Sequence, residues 1–132
     1  AFYDAGFRAG TIIARNEDAG TALAHRYGYA WVPEPGDLRA PVIVNVTPIG
    51  MSGGAESEQL AYPQPTIEAA SMIFDVVAMP VETPLIRAAR AAGREVITGG
   101  EVIALQAAEQ FRLYTGVTLS PDDIAQAEAQ AN

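Results

Sequence analysis

Short apolar runs alternate with helical patterns along this chain. Apolar segments predict β-strands near residues 11–14, 41–47, 73–79 and 94–98, with a further short edge strand near 29–32. The clearest unit covers 73–93, where an apolar run ends at Met79-Pro80, Thr83-Pro84 opens a helical pattern and Gly93 closes it. This order predicts a strand, a tight loop and a helix.

Helices are predicted from the same spacing and from their capping residues. Asn16 or Asp18 is the expected N-cap of the first helix, which ends at Tyr27-Gly28. Its expected buried face carries Ala19, Leu23 and Ala24. Later helices are predicted at about 101–114 and from Pro121 to about 129. In the first of these, Ile103, Ala107, Gln110 or Phe111 and Tyr114 recur at helical spacing. Residues 48–65 are expected to form a long surface loop with at most one turn of helix.

The alternation of strands and helices predicts an α/β fold. Connections of this length favour a parallel, doubly wound sheet of the Rossmann type, with helices on both faces. Polar or glycine-rich loops at 15–16, 45–50, 76–83 and 98–101 all follow strands. Because ligands bind at the carboxyl ends of strands in such sheets, these four loops are expected to share one binding edge.

Composition narrows the possible partners. The 132 residues are 49% hydrophobic, which is enough for one globular core, and 8 basic against 16 acidic side chains give a net charge of −8. This charge argues against nucleic acid or an anionic membrane as the main partner. With no cysteine, one histidine and no apolar run of the roughly 20 residues that a membrane span needs, we expect a cytoplasmic protein without a metal site.

Several motifs together resemble the cofactor-binding half of shikimate dehydrogenase, over nearly all of the chain to about Val117. Each motif alone would be weak, but their order and spacing are specific. They are Asn45-Val-Thr-Pro-Ile-Gly-Met51, Phe74-Asp75 with Pro80, Thr83-Pro-Leu85, Gly99 with Gln106-Ala-Ala and Phe111, and Tyr114-Thr-Gly116.

The resemblance implies an NADP-dependent oxidoreductase that passes hydride between the nicotinamide and 3-dehydroshikimate or shikimate, in chorismate and aromatic amino acid biosynthesis. It also implies that Ala1 begins inside the helix after the glycine-rich phosphate loop. The first strand of the sheet and the amino-terminal substrate domain, which carries the family's catalytic lysine and aspartate, would then lie upstream. Residues 1–117 would be the carboxyl-terminal part of the Rossmann domain, and 118–132 a helix packing on it or on its neighbour, in a monomer or homodimer.

Arg15 is the main candidate for recognising the cofactor's 2′-phosphate. It ends the strand at which NADP enzymes of this fold place an arginine, and the resembling family also has one here. A guanidinium can hold a phosphate through paired hydrogen bonds. The alternative is an exposed arginine paired with Glu17 or Asp18. Asn16 could add a hydrogen bond to the cofactor, although N-capping alone would explain it.

Other cofactor contacts are implied by the resemblance. Asn45 and Thr47 would pass beside the ribose and pyrophosphate, although turn chemistry also explains them, and Gly50 is expected to be mainly structural. Val76 and Val102 would line the nicotinamide side, and the Gly99 carbonyl would meet the nicotinamide amide.

Substrate recognition departs from the family at two positions. Ala78 stands where a tyrosine usually helps to bind shikimate, and Glu101 replaces a glycine, so the substrate could be another polyol or hydroxy acid, such as quinate. Gln106 would donate to a substrate hydroxyl. The alternative for Glu101 is stabilisation of the positive helix start.

Two further residues could suggest catalysis but are given structural interpretations. Asp75 ends a strand and is expected to be satisfied by neighbouring amides, and His25 is expected to be solvated. No catalytic residue is therefore assigned in this segment. The rival functions are a non-catalytic NADP-binding regulatory module and an amino-acid or folate-type dehydrogenase of similar two-domain plan.

Overall fold

The computed structural model describes residues 2–131 and shows an α/β protein with parallel strands. The chain forms two compact units, Ala1–Leu38 and Arg39–Asn132. Strands pair in the orders β1-β2 and β3-β4-β5, in two separate sheets. The predicted parallel pairing is confirmed, whereas the described residues do not form one continuous sheet. Both orders are parts of the Rossmann order 3-2-1-4-5-6, as its strands 2-3 and 4-5-6.

The first unit contains β1 (Thr11–Ile13), α1 (Glu17–Tyr27) and β2 (Ala30–Val32), with β1 and β2 parallel. Asn16 is the N-cap of α1, since its side chain accepts a hydrogen bond from the Ala19 amide at 2.9 Å, and Gly28 ends the helix in the left-handed region. Residues 2–6 form a turn in which the Gly6 amide donates to the Tyr3 carbonyl.

The buried face of α1 is confirmed at Ala24 but differs from the prediction at Ala19 and Leu23. Gly20 and Ala24 are buried, while Ala19 is exposed and Leu23 is 45% exposed. The reason is Trp31 of β2, whose indole packs directly over Gly20 and donates to the Ala14 carbonyl at 3.1 Å. The bulky ring sits where α1 has no side chain, which turns the Gly20 side of the helix inward.

The second unit is built on three parallel strands in the order β3-β4-β5. Its elements are β3 (Val42–Asn45), α2 (Gln64–Ala69), β4 (Met72–Asp75), α3 (Pro84–Ala91), β5 (Glu95–Ile97), α4 (Gly99–Thr115) and α5 (Pro121–Ala131). The short helix α2 lies partly in the predicted loop, where the sequence has little apolar periodicity. Helix α4 begins two residues earlier than predicted because Thr98 caps it.

The core of this unit lies between the strands and helices α2 and α3. Burial alternates along β3 and β4, as expected for strands that present every second side chain to a packed face. The buried apolar cluster consists of Ile43, Ile67, Ala70, Ile73, Leu85 and Ala89. By contrast, α4 forms as predicted but leaves its apolar side chains exposed, with Ile103 at 55% and Tyr114 at 88%.

Candidate functional site

The carboxyl ends of β3, β4 and β5 lie side by side, so the loops that follow them emerge at one edge of the second sheet. Three of the four predicted loops therefore share an edge. The loops after β3 and β4 are also joined directly, because the Ser52 amide donates to the Met79 carbonyl at 2.9 Å and the Val76 amide to the Asn45 carbonyl at 3.0 Å. We call this edge the loop edge.

A buried polar network organises the loop edge. Asn45 and Asp75 lie opposite each other at the ends of β3 and β4, and Asn45 Nδ2 donates to Asp75 Oδ1 at 3.0 Å. Asn45 Oδ1 accepts from the amide of Thr47 at 3.1 Å and from its hydroxyl at 2.6 Å. Asp75 Oδ2 accepts from the hydroxyl of Thr83, the N-cap of α3, at 2.6 Å. The turn after β3 is thus tied to the start of α3.

Gly99 is pressed against the loop that follows β4. A Cβ at this position would lie 2.4 Å from the Val77 carbonyl oxygen and 2.6 Å from that of Val76. Only glycine allows such an approach between α4 and this loop. The expected neighbours of the nicotinamide, Val76 and Gly99, therefore lie together, and the Val76 side chain is 40% exposed.

Glu101 serves the start of α4. Its Oε2 accepts from the Thr98 amide at 2.6 Å and from the Thr98 hydroxyl at 2.8 Å, and its own amide donates to the Thr98 hydroxyl at 3.2 Å. This reciprocal arrangement is a capping box. The geometry favours the helix-start interpretation over a substrate contact.

The remaining substrate-side candidates lie on α4 and in the loop after β4. Val102 and Gln106 are one turn apart and line an open groove together with Leu105, Glu109 and Gln110. Ala78 is partly buried in the β4–α3 loop. At Gly50, a Cβ would lie 3.3 Å from the Thr83 Cβ and the Pro84 Cδ, so this glycine packs on the start of α3.

Arg15 and Asn16 belong to the first unit. Arg15 is exposed two residues after β1, at the carboxyl end of the strand, and Asn16 is engaged in capping α1. His25 is exposed near the end of α1. In the described part of the chain, no group of three or more His, Asp or Glu side chains could hold a metal ion. No helix among residues 2–131 is both long and apolar enough to cross a bilayer.

The sequence reasoning missed how Asp75 is satisfied. Neighbouring amides were expected, and the Val77 amide does donate at 3.1 Å, but among the described residues the side chains of Asn45 and Thr83 donate as well. The sequence does contain a signal for the contact between Asn45 and Asp75, because each of these polar residues ends an apolar strand. In a parallel sheet such residues fall at equal height and can contact each other.

Tyr62 lies beside this network. Its hydroxyl donates to the Val44 carbonyl at 2.9 Å. Burial of the ring, together with the nearby charge of Asp75, raises the pKa of Tyr62 to about 12 from its ordinary 10.0. The neutral phenol is therefore favoured in the folded state.

This shift predicts an alkaline loss of stability. A group whose pKa is higher in the folded state stabilises that state fully at a pH below its unfolded-state pKa. This stabilisation is lost as the pH rises through the folded-state pKa. As the pH rises from 10 to 12, we expect the ionisation of Tyr62 to lower the free energy of unfolding by about 2 kcal/mol. Urea unfolding of wild type and Tyr62→Phe across this range measures it, with exposed Tyr114→Phe as the control. Parallel pH profiles for wild type and Tyr62→Phe would contradict the assignment.

No protein-family model matches the chain. A shikimate dehydrogenase-like protein of Haemophilus influenzae is 51% identical over 131 residues, which cover 99% of this chain and 48% of that protein. The chain thus spans about half the length of this curated relative.

Solved structures give the same relationship. A shikimate 5-dehydrogenase-like protein, 51% identical, superposes with a TM-score of 0.92 over 97% of this chain and 48% of its own. Shikimate 5-dehydrogenase from Thermus thermophilus, solved in complex with NADP(H) and shikimate, is 29% identical, with a TM-score of 0.80 over 98% of this chain and 48% of that chain.

Proposed function

Since this chain belongs to the shikimate dehydrogenase family, we propose that it is the NADP-binding part of an oxidoreductase that reduces 3-dehydroshikimate to shikimate or acts on a related hydroxy acid. The proposal includes an amino-terminal substrate domain in the intact protein. In this proposal, residues 1–117 belong to the cofactor-binding domain, and residues 118–132 form a helix that packs on that domain or on its neighbour.

The observation that carries this proposal is the contact of Gly99 with the Val76–Val77 backbone at the loop edge. It brings together two loops that follow neighbouring strands, at the place where open α/β sheets bind nucleotides. The Thermus relative, whose structure holds NADP(H), has the same fold over nearly all of this chain.

The residues present fit such a cofactor. In the first unit, Arg15 is an exposed guanidinium following a parallel strand, which suits a 2′-phosphate, and Asn16 offers a polar side chain after the same strand. In the second unit, Thr47 offers an exposed polar side chain after β3. Val76 and Val102 offer apolar surface to a nicotinamide, and in the proposal the Gly99 carbonyl meets the nicotinamide amide. When bound, NADP supplies or accepts the hydride, while these residues hold it in position and exclude water. Proton transfer is assigned to the substrate domain.

Ala78 and Gln106 bear on which substrate is used. In the proposal, Gln106 donates to a substrate hydroxyl, and Ala78 leaves open the space that a tyrosine hydroxyl would otherwise occupy. Glu101 gives no reason to expect a different substrate, because its carboxylate accepts hydrogen bonds from Thr98. Ala78 is the reason for keeping quinate or another hydroxy acid as the alternative substrate.

Activity measurements on the intact protein test the reaction. We expect NADP-dependent turnover with shikimate, quinate or a simpler hydroxy acid, measured as NADPH absorbance under steady-state conditions. Shikimate turnover at micromolar substrate would decide for shikimate. NADP binding without turnover of any of these compounds would instead support the regulatory module.

Arg15→Gln tests the cofactor assignment. We expect the affinity for NADP to fall about 10- to 100-fold, because charge-assisted hydrogen bonds to the 2′-phosphate are lost, and any affinity for NAD to stay unchanged. Calorimetric titration with each cofactor measures both values. Arg26→Gln, which removes an exposed arginine from α1, is the matched control. Equal NADP affinity in Arg15→Gln and wild type would rule out the phosphate role of Arg15.

A further inference from the structure

Asp75 is completely buried at the end of β4, and the proposed function does not use it. Its two carboxylate oxygens accept three hydrogen bonds, from Asn45 Nδ2 at 3.0 Å, the Val77 amide at 3.1 Å and the Thr83 hydroxyl at 2.6 Å. A carboxylate so enclosed is shielded from solvent and from substrate. A general base must reach the proton that it abstracts, so Asp75 is not suited to that role.

The three donors come from three separate segments of the loop edge. Asn45 ends β3, Val77 lies in the loop after β4, and Thr83 caps α3. Asn45 extends the network further, since its Oδ1 accepts both hydrogen bonds from Thr47. A continuous path therefore runs from the turn after β3, through Asn45, to Asp75.

The same carboxylate acts on the other side of the loop edge. By accepting from the Val77 amide, Asp75 fixes the short segment whose carbonyl groups lie against Gly99. The position of this backbone decides how closely α4 can approach. Asp75 thus contacts both the Asn45 side chain that binds Thr47 and the Val77 backbone that lies against Gly99.

We propose that Asp75 is a positioning residue, which sets the mutual register of the turn after β3 and the loop after β4 and thereby shapes the NADP site. It acts through Asn45 and Val77 and contacts neither cofactor nor substrate. This inference rests on the proposed function, because it assigns Asp75 to the binding of the same cofactor.

Asp75→Asn is the direct test, since it keeps the size of the side chain but replaces one acceptor oxygen by a donor. If the amide nitrogen takes the place of Oδ1, Asn45 Nδ2 and the Val77 amide both lose their acceptor, and if it takes the place of Oδ2, the Thr83 hydroxyl loses its acceptor. In the intact protein we expect the Kd for NADP to rise at least about tenfold. We also expect amide hydrogen exchange at Val77 and at Thr47 to become about tenfold faster, although Thr47 does not contact Asp75.

Glu82→Gln is the matched control, because it removes a carboxylate from the same loop at an exposed position. It should change neither Kd nor exchange at Thr47. In the double variant Asp75→Asn/Thr47→Val, the loss of affinity should be smaller than the product of the two single losses, because both changes break one path.

If Asp75→Asn does not fold, Thr83→Val and Thr83→Ser ask the same question. Valine removes both the donation to Asp75 and the cap on the Ile86 amide, whereas serine keeps both. We therefore expect weaker NADP binding, together with faster amide exchange at Val77 and Thr47, only in Thr83→Val. Unchanged Thr47 exchange in folded Asp75→Asn would overturn the proposal. So would unchanged NADP affinity in a variant whose stability alone has fallen. Failure of the wild type to bind NADP would instead refute the proposed function, while the exchange data would still show whether Asp75 couples the loops.

Discussion

Gly99→Ala is expected to lower the free energy of unfolding by about 3 kcal/mol or more and to weaken NADP binding. The added Cβ would lie 2.4 Å from the Val77 carbonyl oxygen and 2.5 Å from its carbonyl carbon. These are backbone atoms, so no rotamer change can relieve the overlap, and the loop after β4 must move. Overpacking of this kind typically costs 1–3 kcal/mol, and about 3 or more is expected where backbone meets backbone.

Urea unfolding and NADP titration of the intact protein measure the two effects. Gly100→Ala is the matched control, since it adds the same methyl group to the next position of α4, where alanine is the better helix former by roughly 1 kcal/mol. The double variant Gly99→Ala/Val76→Ala should not recover stability, because the obstacle is the backbone carbonyl groups of residues 76 and 77 and not the Val76 side chain. Wild-type stability of Gly99→Ala would show that the close approach does not exist.

The elements predicted best from sequence are those whose signals are local. Asn16 caps α1 as one of its two expected N-caps, α1 ends at the predicted Gly28, and α5 begins at the predicted Pro121. Parallel pairing was predictable because the connections between strands are too long for hairpins. These signals depend on a few neighbouring residues, which the sequence shows directly.

Features that depend on distant residues were predicted poorly. The buried face of α1 was misassigned because the indole that covers it comes from β2, eleven residues further along the chain. Helix α2 was missed because it has few apolar residues and no side-chain cap. For the candidate site, resemblance supplied the residue list, but the sharing of Asp75 between Asn45 and Thr83 required coordinates.

At the loop edge, a residue that is proposed to lie beside the cofactor can also have a structural role. The resemblance implied that Asn45 lies beside the cofactor. In the structure its Nδ2 donates to Asp75 and to the Ile49 carbonyl, and its Oδ1 accepts from Thr47. A side chain with all its polar atoms engaged inside the protein contributes to binding mainly by holding the backbone around it. Thr47, which is exposed, is then the better candidate for a direct contact.

Gly20→Ala is the second large effect that we expect, and it tests the first unit. The new Cβ would lie 2.2 Å from Trp31 Nε1 and 2.4 Å from Cδ1, so the indole must move and lose its hydrogen bond to the Ala14 carbonyl. Lost packing and hydrogen bonding should exceed the gain in helix propensity, for a net loss of about 2 kcal/mol. Because Ala14 precedes Arg15, NADP affinity should fall as well.

The single tryptophan makes this change directly visible, since displacement of the indole should shift its fluorescence emission to longer wavelength. In Gly20→Ala/Trp31→Val the obstructing ring is absent, so the double variant should lose less stability than the sum of the single losses, as measured by circular dichroism in urea. Thr21→Ala, at an exposed position of α1, should leave both the emission and the NADP affinity unchanged. Additive losses in the double variant would mean that Trp31 does not pack on Gly20, and the link from β2 to the Arg15 loop would then have no structural basis.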